Sequence, residues 1–234
     1  MKPTVVVTGA SQGIGYEIAK AFVIKGYTVF AIARNTDKLS NLRDDCLSID
    51  VNANLIPVTL DLKSTDAGDK LLSVVQSKCS HLDIMINNAG VLANKPFDEL
   101  TEEDMESMFT VNVYTPIRLI KALAPIMGGQ QMSHIVNIGS MAGFQGSDKY
   151  PGLTLYSSTK GAIASFSECL AKEYINRNIK VNCLALGSVN TEMLQNAFPG
   201  LNAPVEADQM GKYIANFAEN VSTVMNGKVV PVSM

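Results

Sequence analysis

The chain has no tryptophan and only two histidines in 234 residues. His81 and His134 leave a histidine-based metal site poorly supplied, and the same shortage argues against a Ser-His-Asp triad. Their plainest reading is a surface helix end and a strand entry. The four cysteines, Cys46, Cys79, Cys169 and Cys183, are scattered without C-x-x-C spacing, so neither a zinc site nor a disulfide framework is indicated. They are expected to be reduced thiols of a cytoplasmic protein, most of them packing as small hydrophobes. An excess of basic residues is also missing. The formal net charge of −3 disfavours a general binder of nucleic acid or anionic membrane, which needs positive charge to displace counterions or meet headgroups. No apolar run is long enough to span a bilayer. The start of the chain, Met1 to Thr4 followed by Val5-Val6-Val7, lacks the apolar length of a signal peptide. The expected partners are therefore small molecules or other protein chains.

What is present is a balance of 47% apolar and 18% charged residues, without low-complexity stretches, which fits one folded domain over residues 1–234. Runs rich in β-branched residues alternate with helical patterns. Strands are expected at Thr4–Val7, Thr28–Ala33, Leu55–Leu60, Ile84–Asn87, His134–Ile138, Lys180–Ala185 and Lys228–Val232. Helices are expected at Ile14–Lys25, Asp37–Asp45, Ala67–Lys78, in one long stretch from Glu102 to Met127, and at Ser157–Asn176 and Glu206–Glu219. Such alternation predicts an α/β fold around a doubly wound parallel sheet of about seven strands, with functional groups gathered beyond the carboxyl ends of the strands.

The first strand runs into Thr8-Gly9-Ala10-Ser11-Gln12-Gly13-Ile14-Gly15 and then an amphipathic helix. Glycines allow a tight turn and close backbone approach to a pyrophosphate, while the helix start offers free N–H groups and a favourable dipole. The TGxxxGxG spacing resembles the cofactor-binding fingerprint of the short-chain dehydrogenases and reductases. Three further pieces follow in the order this family shows: Asn87-Asn88-Ala89-Gly90, Ser140 at the exit of the fifth strand, and Tyr156-Ser157-Ser158-Thr159-Lys160 as YxxxK. The resemblance covers nearly the whole chain. It implies a single-domain Rossmann fold, a nicotinamide cofactor, a carbonyl or alcohol substrate and a homo-oligomer, dimer or tetramer.

By motif position the resemblance implies that Gly9, Ser11, Gln12, Gly13, Ile14 and Gly15 hold the cofactor, that Asn87 braces the sheet, and that Asn88, Ala89 and Gly90 lie along the cofactor. Asp61, followed by Leu62, resembles the acid that meets the adenine amino group, although a turn residue preceding a helix explains it nearly as well. Gly187, Val189 and Thr191 fall where the family contacts the nicotinamide carboxamide. After the second strand, NAD-selective sites place a carboxylate that accepts from the ribose hydroxyls; here the residues are Ala33 and Arg34. A guanidinium suits a 2′-phosphate, so NADP(H) is favoured over NAD(H). Gln12 stands where some NADP-dependent relatives carry a second basic residue.

Tyr156 and Lys160 are four apart on an expected helix and share a face. A tyrosine with its usual pKa of about 10 is a poor base, but a nearby ammonium and a positive nicotinamide ring stabilise its phenolate. Tyr156 is then the general acid/base, Lys160 its partner and a ligand of the nicotinamide ribose. Ser140 holds the substrate oxygen, and Asn112 matches the helix asparagine that supports a water-linked proton path to the lysine. No metal is called for. An NAD(H)-linked alcohol dehydrogenase stands as the alternative enzyme, and a non-catalytic nucleotide sensor as a reading of another class.

Three departures from the family pattern stand out. The interval from Ser140 to Tyr156 is a few residues longer than usual, on the substrate side. Leu186 replaces the usual proline after the sixth strand, where a looser turn is expected. The sequence ends Val229-Val230-Pro231-Val232-Ser233-Met234 without the Gly-Gly of many tetrameric relatives. The segment from Glu192 to about Pro204, with Met193, Leu194, Phe198 and Leu201, has the composition of a short apolar lid.

Overall fold

Near-continuous apolar runs such as Val5-Val6-Val7 and Val29-Phe30-Ala31-Ile32 dictate a sheet covered on both faces. In the computed structural model, which describes residues 2–234, seven strands form one wholly parallel sheet. They are β1 (Thr4–Thr8), β2 (Thr28–Ala33), β3 (Asn54–Thr59), β4 (Ile84–Asn87), β5 (Ser133–Ile138), β6 (Ile179–Leu186) and, last in the chain, β9 (Val229–Val232). A second small sheet pairs β7 (Val189–Asn190) with β8 (Val205–Glu206). The order β3-β2-β1-β4-β5-β6-β9 reverses direction between β1 and β4, and the crevice beyond that reversal is where an open α/β sheet takes a ligand.

Val5 and Val7 of β1 and Val29 and Ala31 of β2 pack on one face, against α1 (Gly13–Ile24), α2 (Thr36–Ile49) and α8 (Ala207–Asn220). Val6, Phe30 and Ile32 point the other way, toward α3 (Ala67–Gln76), α5 (Thr115–Leu123) and α6 (Thr154–Glu173). Successive side chains of any strand point to opposite faces, and here both sets are apolar and buried, as a sheet covered by helices on both faces requires.

Three expectations from the sequence need correction. The stretch from Glu102 to Met127 is not one helix: α4 (Glu102–Phe109) passes through a single wider π turn at Thr110–Tyr114 into α5, and a 3₁₀ turn at Ala124–Ile126 closes it. Apolar periodicity alone does not reveal such a bulge, because α and π turns present similar faces over so few residues. The turn after β6 is not looser for want of proline. Leu186 stays in the strand, in register with Val232, and the N–H of the next residue, Gly187, donates to the Val232 carbonyl at 2.8 Å. The helix carrying Tyr156 begins three residues before Ser157, at Thr154, so Tyr156 lies in its first turn.

His134 enters β5 as expected, but it is 2% exposed. Its Nδ1–H donates to the Ala218 carbonyl at 2.8 Å, and its Nε2 accepts from the Asn182 amide at 2.9 Å. A proton added at Nε2 would face another donor. Burial accordingly pushes the imidazole pKa down to about 4. A group whose folded pKa lies below its unfolded value of about 6.5 costs stability as pH falls between the two, at most about 1.4 kcal/mol per pH unit. Urea unfolding at pH 7 and pH 5 should therefore give a larger loss for the native chain than for His134→Gln, whose amide can donate and accept without titrating. Equal losses in the two proteins would rule out His134 as the source.

Candidate active site

The strand ends at the reversal are tied together before any ligand is considered. The Thr8 hydroxyl accepts from the backbone N–H groups of Asn88 and Ala89, both at 3.0 Å, and the Asn88 amide donates to the Thr8 carbonyl at 3.0 Å. Gly9 follows at φ +70°, and a Cβ there would come within 2.9 Å of the Ala89 Cα. Glycine is thus required by both backbone conformation and close approach.

From Gly9 the chain enters α1 at Gly13, with Ser11, Gln12 and Ile14 along the turn and Gly15 buried beneath it. The N-terminus of α1 has no side-chain cap and no acidic residue in its first turn, whereas α2 and α4 are capped by Asn35 and Thr101. Uncapped N–H groups beside a glycine turn fit the diphosphate of a dinucleotide. At the end of β2, Arg34 is exposed and forms no ion pair among the described residues. Asp61 is also exposed, and its carboxylate accepts from the Lys63 N–H at 3.0 Å, which is the geometry of a turn residue. Leu62 beside it is buried, and its carbonyl accepts from the Thr115 hydroxyl at 2.7 Å.

The chemical end is built from β5, α6 and the π turn. A buried chain runs from the Asn87 amide to Asn137 Oδ1 (2.8 Å), from the Asn137 amide to Ser167 Oγ (2.8 Å), and on to the Ile163 carbonyl (2.7 Å), fixing α6 to the sheet. Lys160, buried on α6, donates to the Ile138 carbonyl at 2.8 Å and holds its ammonium 5.6 Å from the centre of the Tyr156 ring. Asn112 sits within the π turn. Its Oδ1 accepts from the Val91 N–H at 2.9 Å, while its amide donates to the Val91 carbonyl at 2.9 Å and to the Thr159 hydroxyl at 3.0 Å. The same residue therefore joins the loop after β4 to α6, and Gly90 lies close to both Asn112 and Lys160.

Burial pushes the Tyr156 phenol up to about 12, against a smaller downward pull from the Ser140 hydroxyl. Burial also draws the Lys160 ammonium down to about 8, with the Cys183 thiol acting weakly the other way. The protein surroundings alone therefore favour the neutral phenol. Ser140 Oγ accepts the Ala142 N–H at 3.1 Å, which leaves its own O–H available as a donor.

A cleft of about 330 Å³ is lined by Gln12, by Gly90, which lies close to Lys160, by Leu92 and Asn94, and by Met193 and Asn196 of α7 (Glu192–Ala197). Thr191 caps α7 through the Leu194 N–H, and Gly187 and Val189 lead into it from β6. Met193 and Leu201 of the expected lid are 40% and 44% exposed, so this segment is not a sealed core helix. The long interval after Ser140 forms a 3₁₀ turn at Met141–Gly143, and Lys149 folds back onto the carbonyls of Ala142 and Phe144 at 3.0 and 2.6 Å.

Two contacts at the mouth were not foreseeable from motifs. Asn94 donates to the Ala197 carbonyl at 2.8 Å, and the Lys95 N–H donates to the Gly152 carbonyl at 3.1 Å, so two loops and the end of α7 meet there. Lys38 of α2 reaches the Gln12 side chain and pairs with Glu192 at 3.6 Å. The only hint in the sequence was the amide at position 12, where a charged residue was the alternative.

A family profile described as short chain dehydrogenase matches residues 3–202. A dehydrogenase/reductase SDR family protein 7-like of Drosophila melanogaster is 31% identical over 198 residues, which are 84% of this chain and 60% of that protein. The chain thus spans less than two thirds of that relative's length. Among solved structures, a short-chain dehydrogenase of Burkholderia cenocepacia in complex with NADP superposes with a TM-score of 0.87 at 25% identity, covering 99% of this chain and 96% of the other. An L-sorbose reductase of Gluconobacter frateurii, complexed with NADPH and L-sorbose, gives 0.87 at 25% identity over 99% and 95%.

Gly152 tests the mouth of the cleft. Its φ is +82° and a Cβ would collide with Asn94 Oδ1. Gly152→Ala is expected to separate the 141–153 loop from the Asn94 loop, raising amide exchange at 94–95 and 150–153 while lowering overall stability by about 1–3 kcal/mol. Unchanged exchange at those residues would mean that the loops are held elsewhere.

Proposed function

The chain belongs to the short-chain dehydrogenase family of oxidoreductases, and on that premise we propose that it is an NADP(H)-dependent enzyme. In this reading it moves a hydride between nicotinamide and a small carbonyl/alcohol substrate, with Tyr156 as general acid/base. The observation that carries it is the Lys160 ammonium, 5.6 Å from the centre of the Tyr156 ring and close to Gly90, which lines a cleft that also takes in Gln12 of the uncapped glycine turn. NADP and NADPH in the two solved relatives support the cofactor choice.

When bound, the nicotinamide supplies or receives the hydride. The backbone N–H groups at Gly13, Ile14 and Gly15 hold the diphosphate, Arg34 meets the 2′-phosphate, and Asn88, Ala89, Gly90, Gly187, Val189 and Thr191 line the path toward the reacting end. Ser140 donates its free O–H to the substrate oxygen, holding it beside the Tyr156 phenol. In reduction Tyr156 gives up its proton to that oxygen, and the Lys160 ammonium stabilises the phenolate left behind. Asn112, clasped between Val91 and Thr159, positions the groups around Lys160 and supports the path by which the proton is restored.

The same reading gives a homo-oligomer, dimer or tetramer, in the cytoplasm. The cytoplasmic placement is supported by four free cysteines, which suit a reducing compartment, and no helix among the described residues is long and apolar enough to cross a membrane. Light scattering on the purified protein measures the oligomer directly. No cluster of His, Cys, Asp or Glu among the described residues could hold a metal ion.

Turnover of NADPH and NADH over a panel of aldehydes, ketoses, diketones and 3-oxoacyl thioesters tests the proposal. Tyr156→Phe should lose about 10²- to 10⁴-fold in kcat with NADPH affinity retained, and Arg34→Ala should weaken NADPH about 10- to 100-fold without touching NADH. Because the phenol must be protonated for reduction and ionised for oxidation, reduction should hold steady through neutral pH while oxidation climbs with pH. Lys160→Met should move that climb to higher pH. Undiminished turnover in Tyr156→Phe would remove the proton donor from the scheme, and equal weakening of both cofactors in Arg34→Ala would return the choice to NAD(H).

A further inference from the structure

We propose that Lys38 is a second specificity-determining cation at the adenosine end of the site, and that Glu192 holds it there in exchange for the 2′-phosphate. The inference rests on the NADP(H) reading above. The glycine turn has an uncharged Gln12, so its own residues offer a phosphate no cation. α2 brings one to it: Lys38 is the third residue of that helix, its N–H fixed by the Asn35 cap at 2.9 Å, and its ammonium lies on the Gln12 side-chain oxygen. Arg34 and Lys38 thus come from the same short segment after β2, one free of ion pairs among the described residues and the other directed back over the turn.

The second partner of Lys38 is Glu192, at 3.6 Å, with the two side chains 42% and 58% exposed. A pair that long and that open is weak, and a phosphate bearing up to two charges competes for the ammonium on favourable terms. Glu192 is the first residue of α7, whose Met193 and Asn196 line the cleft. Transfer of Lys38 from Glu192 to a 2′-phosphate therefore does two things. It adds a second charge-assisted contact that NAD(H) cannot make, and it removes one tether of α7, leaving the Asn94 to Ala197 contact as the attachment on the substrate side.

The test uses adenosine fragments, so its readout is binding and not turnover. Calorimetric titration with 2′,5′-ADP and with 5′-AMP should find the wild type preferring the former. Lys38→Met should weaken 2′,5′-ADP about tenfold and leave 5′-AMP within about twofold, with Lys38→Arg restoring much of the loss. Glu192→Gln should tighten 2′,5′-ADP severalfold without moving 5′-AMP. Hydrogen exchange over 192–197 should rise when the wild type binds 2′,5′-ADP and should already be high in ligand-free Lys38→Met. Loss of both fragments alike in Lys38→Met would make it a brace for the turn and overturn the proposal, as would no loss of either. A normal phosphate preference that depends on Arg34 but ignores Lys38 would defeat this inference alone, whereas a wild type indifferent to the 2′-phosphate would defeat the NADP(H) reading with it.

Discussion

Asn137 is completely buried in the middle of the sheet, where an amide without partners would cost about 1–3 kcal/mol per lost bond. The geometry of the site follows from how that cost is avoided. Its oxygen takes the Asn87 amide from β4 and its amide finds Ser167 on α6, so two strands and one helix are locked in register by one side chain. A hydrophobic contact at the same place would hold the elements together but would permit a slide or a rotation, because dispersion is not directional. α6 carries Tyr156 and Lys160, and a small rotation of that helix would move the phenol relative to Ser140, two residues beyond β5. Only Asn87 Oδ1 is left without a partner among buried side-chain atoms of the described residues. The relay thus carries a local cost of its own for setting the register.

A second constraint comes from parallelism. With all seven strands running the same way, every carboxyl end falls on one edge, and the reversal between β1 and β4 is where such a sheet opens a crevice. Thr8 closes the floor of this crevice by accepting two N–H groups from the loop after β4. Sheet topology therefore decides where a ligand can lie. The individual residues decide which ligand that is, through the glycine turn, Arg34 and the groups around Tyr156.

Much of this was legible in the residues themselves. Short apolar runs rich in β-branched residues, such as Val5-Val6-Val7 and Val29-Phe30-Ala31-Ile32, gave strands close to their observed limits, and the ordered motifs led to Tyr156, Lys160, Ser140 and Asn112. Three things were not legible, each for a physical reason. The π turn at Thr110–Tyr114 leaves apolar periodicity almost untouched, although it is what holds Asn112 between Val91 and Thr159. The pairing of Leu186 with Val232 depends on a strand more than forty residues further on, whose proximity no local pattern encodes. Lys38 and Asn94 act through side-chain reach across loops; in sequence they are an ordinary helix lysine and an ordinary loop asparagine.

The pKa directions of Tyr156 and Lys160 then acquire a common meaning. Burial acts on both toward the uncharged form, raising the phenol and lowering the ammonium, so neither group is preset by its pocket for charge separation. Low dielectric also strengthens the attraction between opposite charges once they form, and the two residues share one helix face. The ammonium is kept from drifting toward solvent by the Ile138 carbonyl at 2.8 Å, a neutral acceptor that tolerates the charge without quenching it. A carboxylate in that position would pair with Lys160 and cancel its field at Tyr156. In the proposed reaction, therefore, a backbone carbonyl is the better anchor: it fixes the lysine's place while leaving its charge to act on the phenolate as the proton departs.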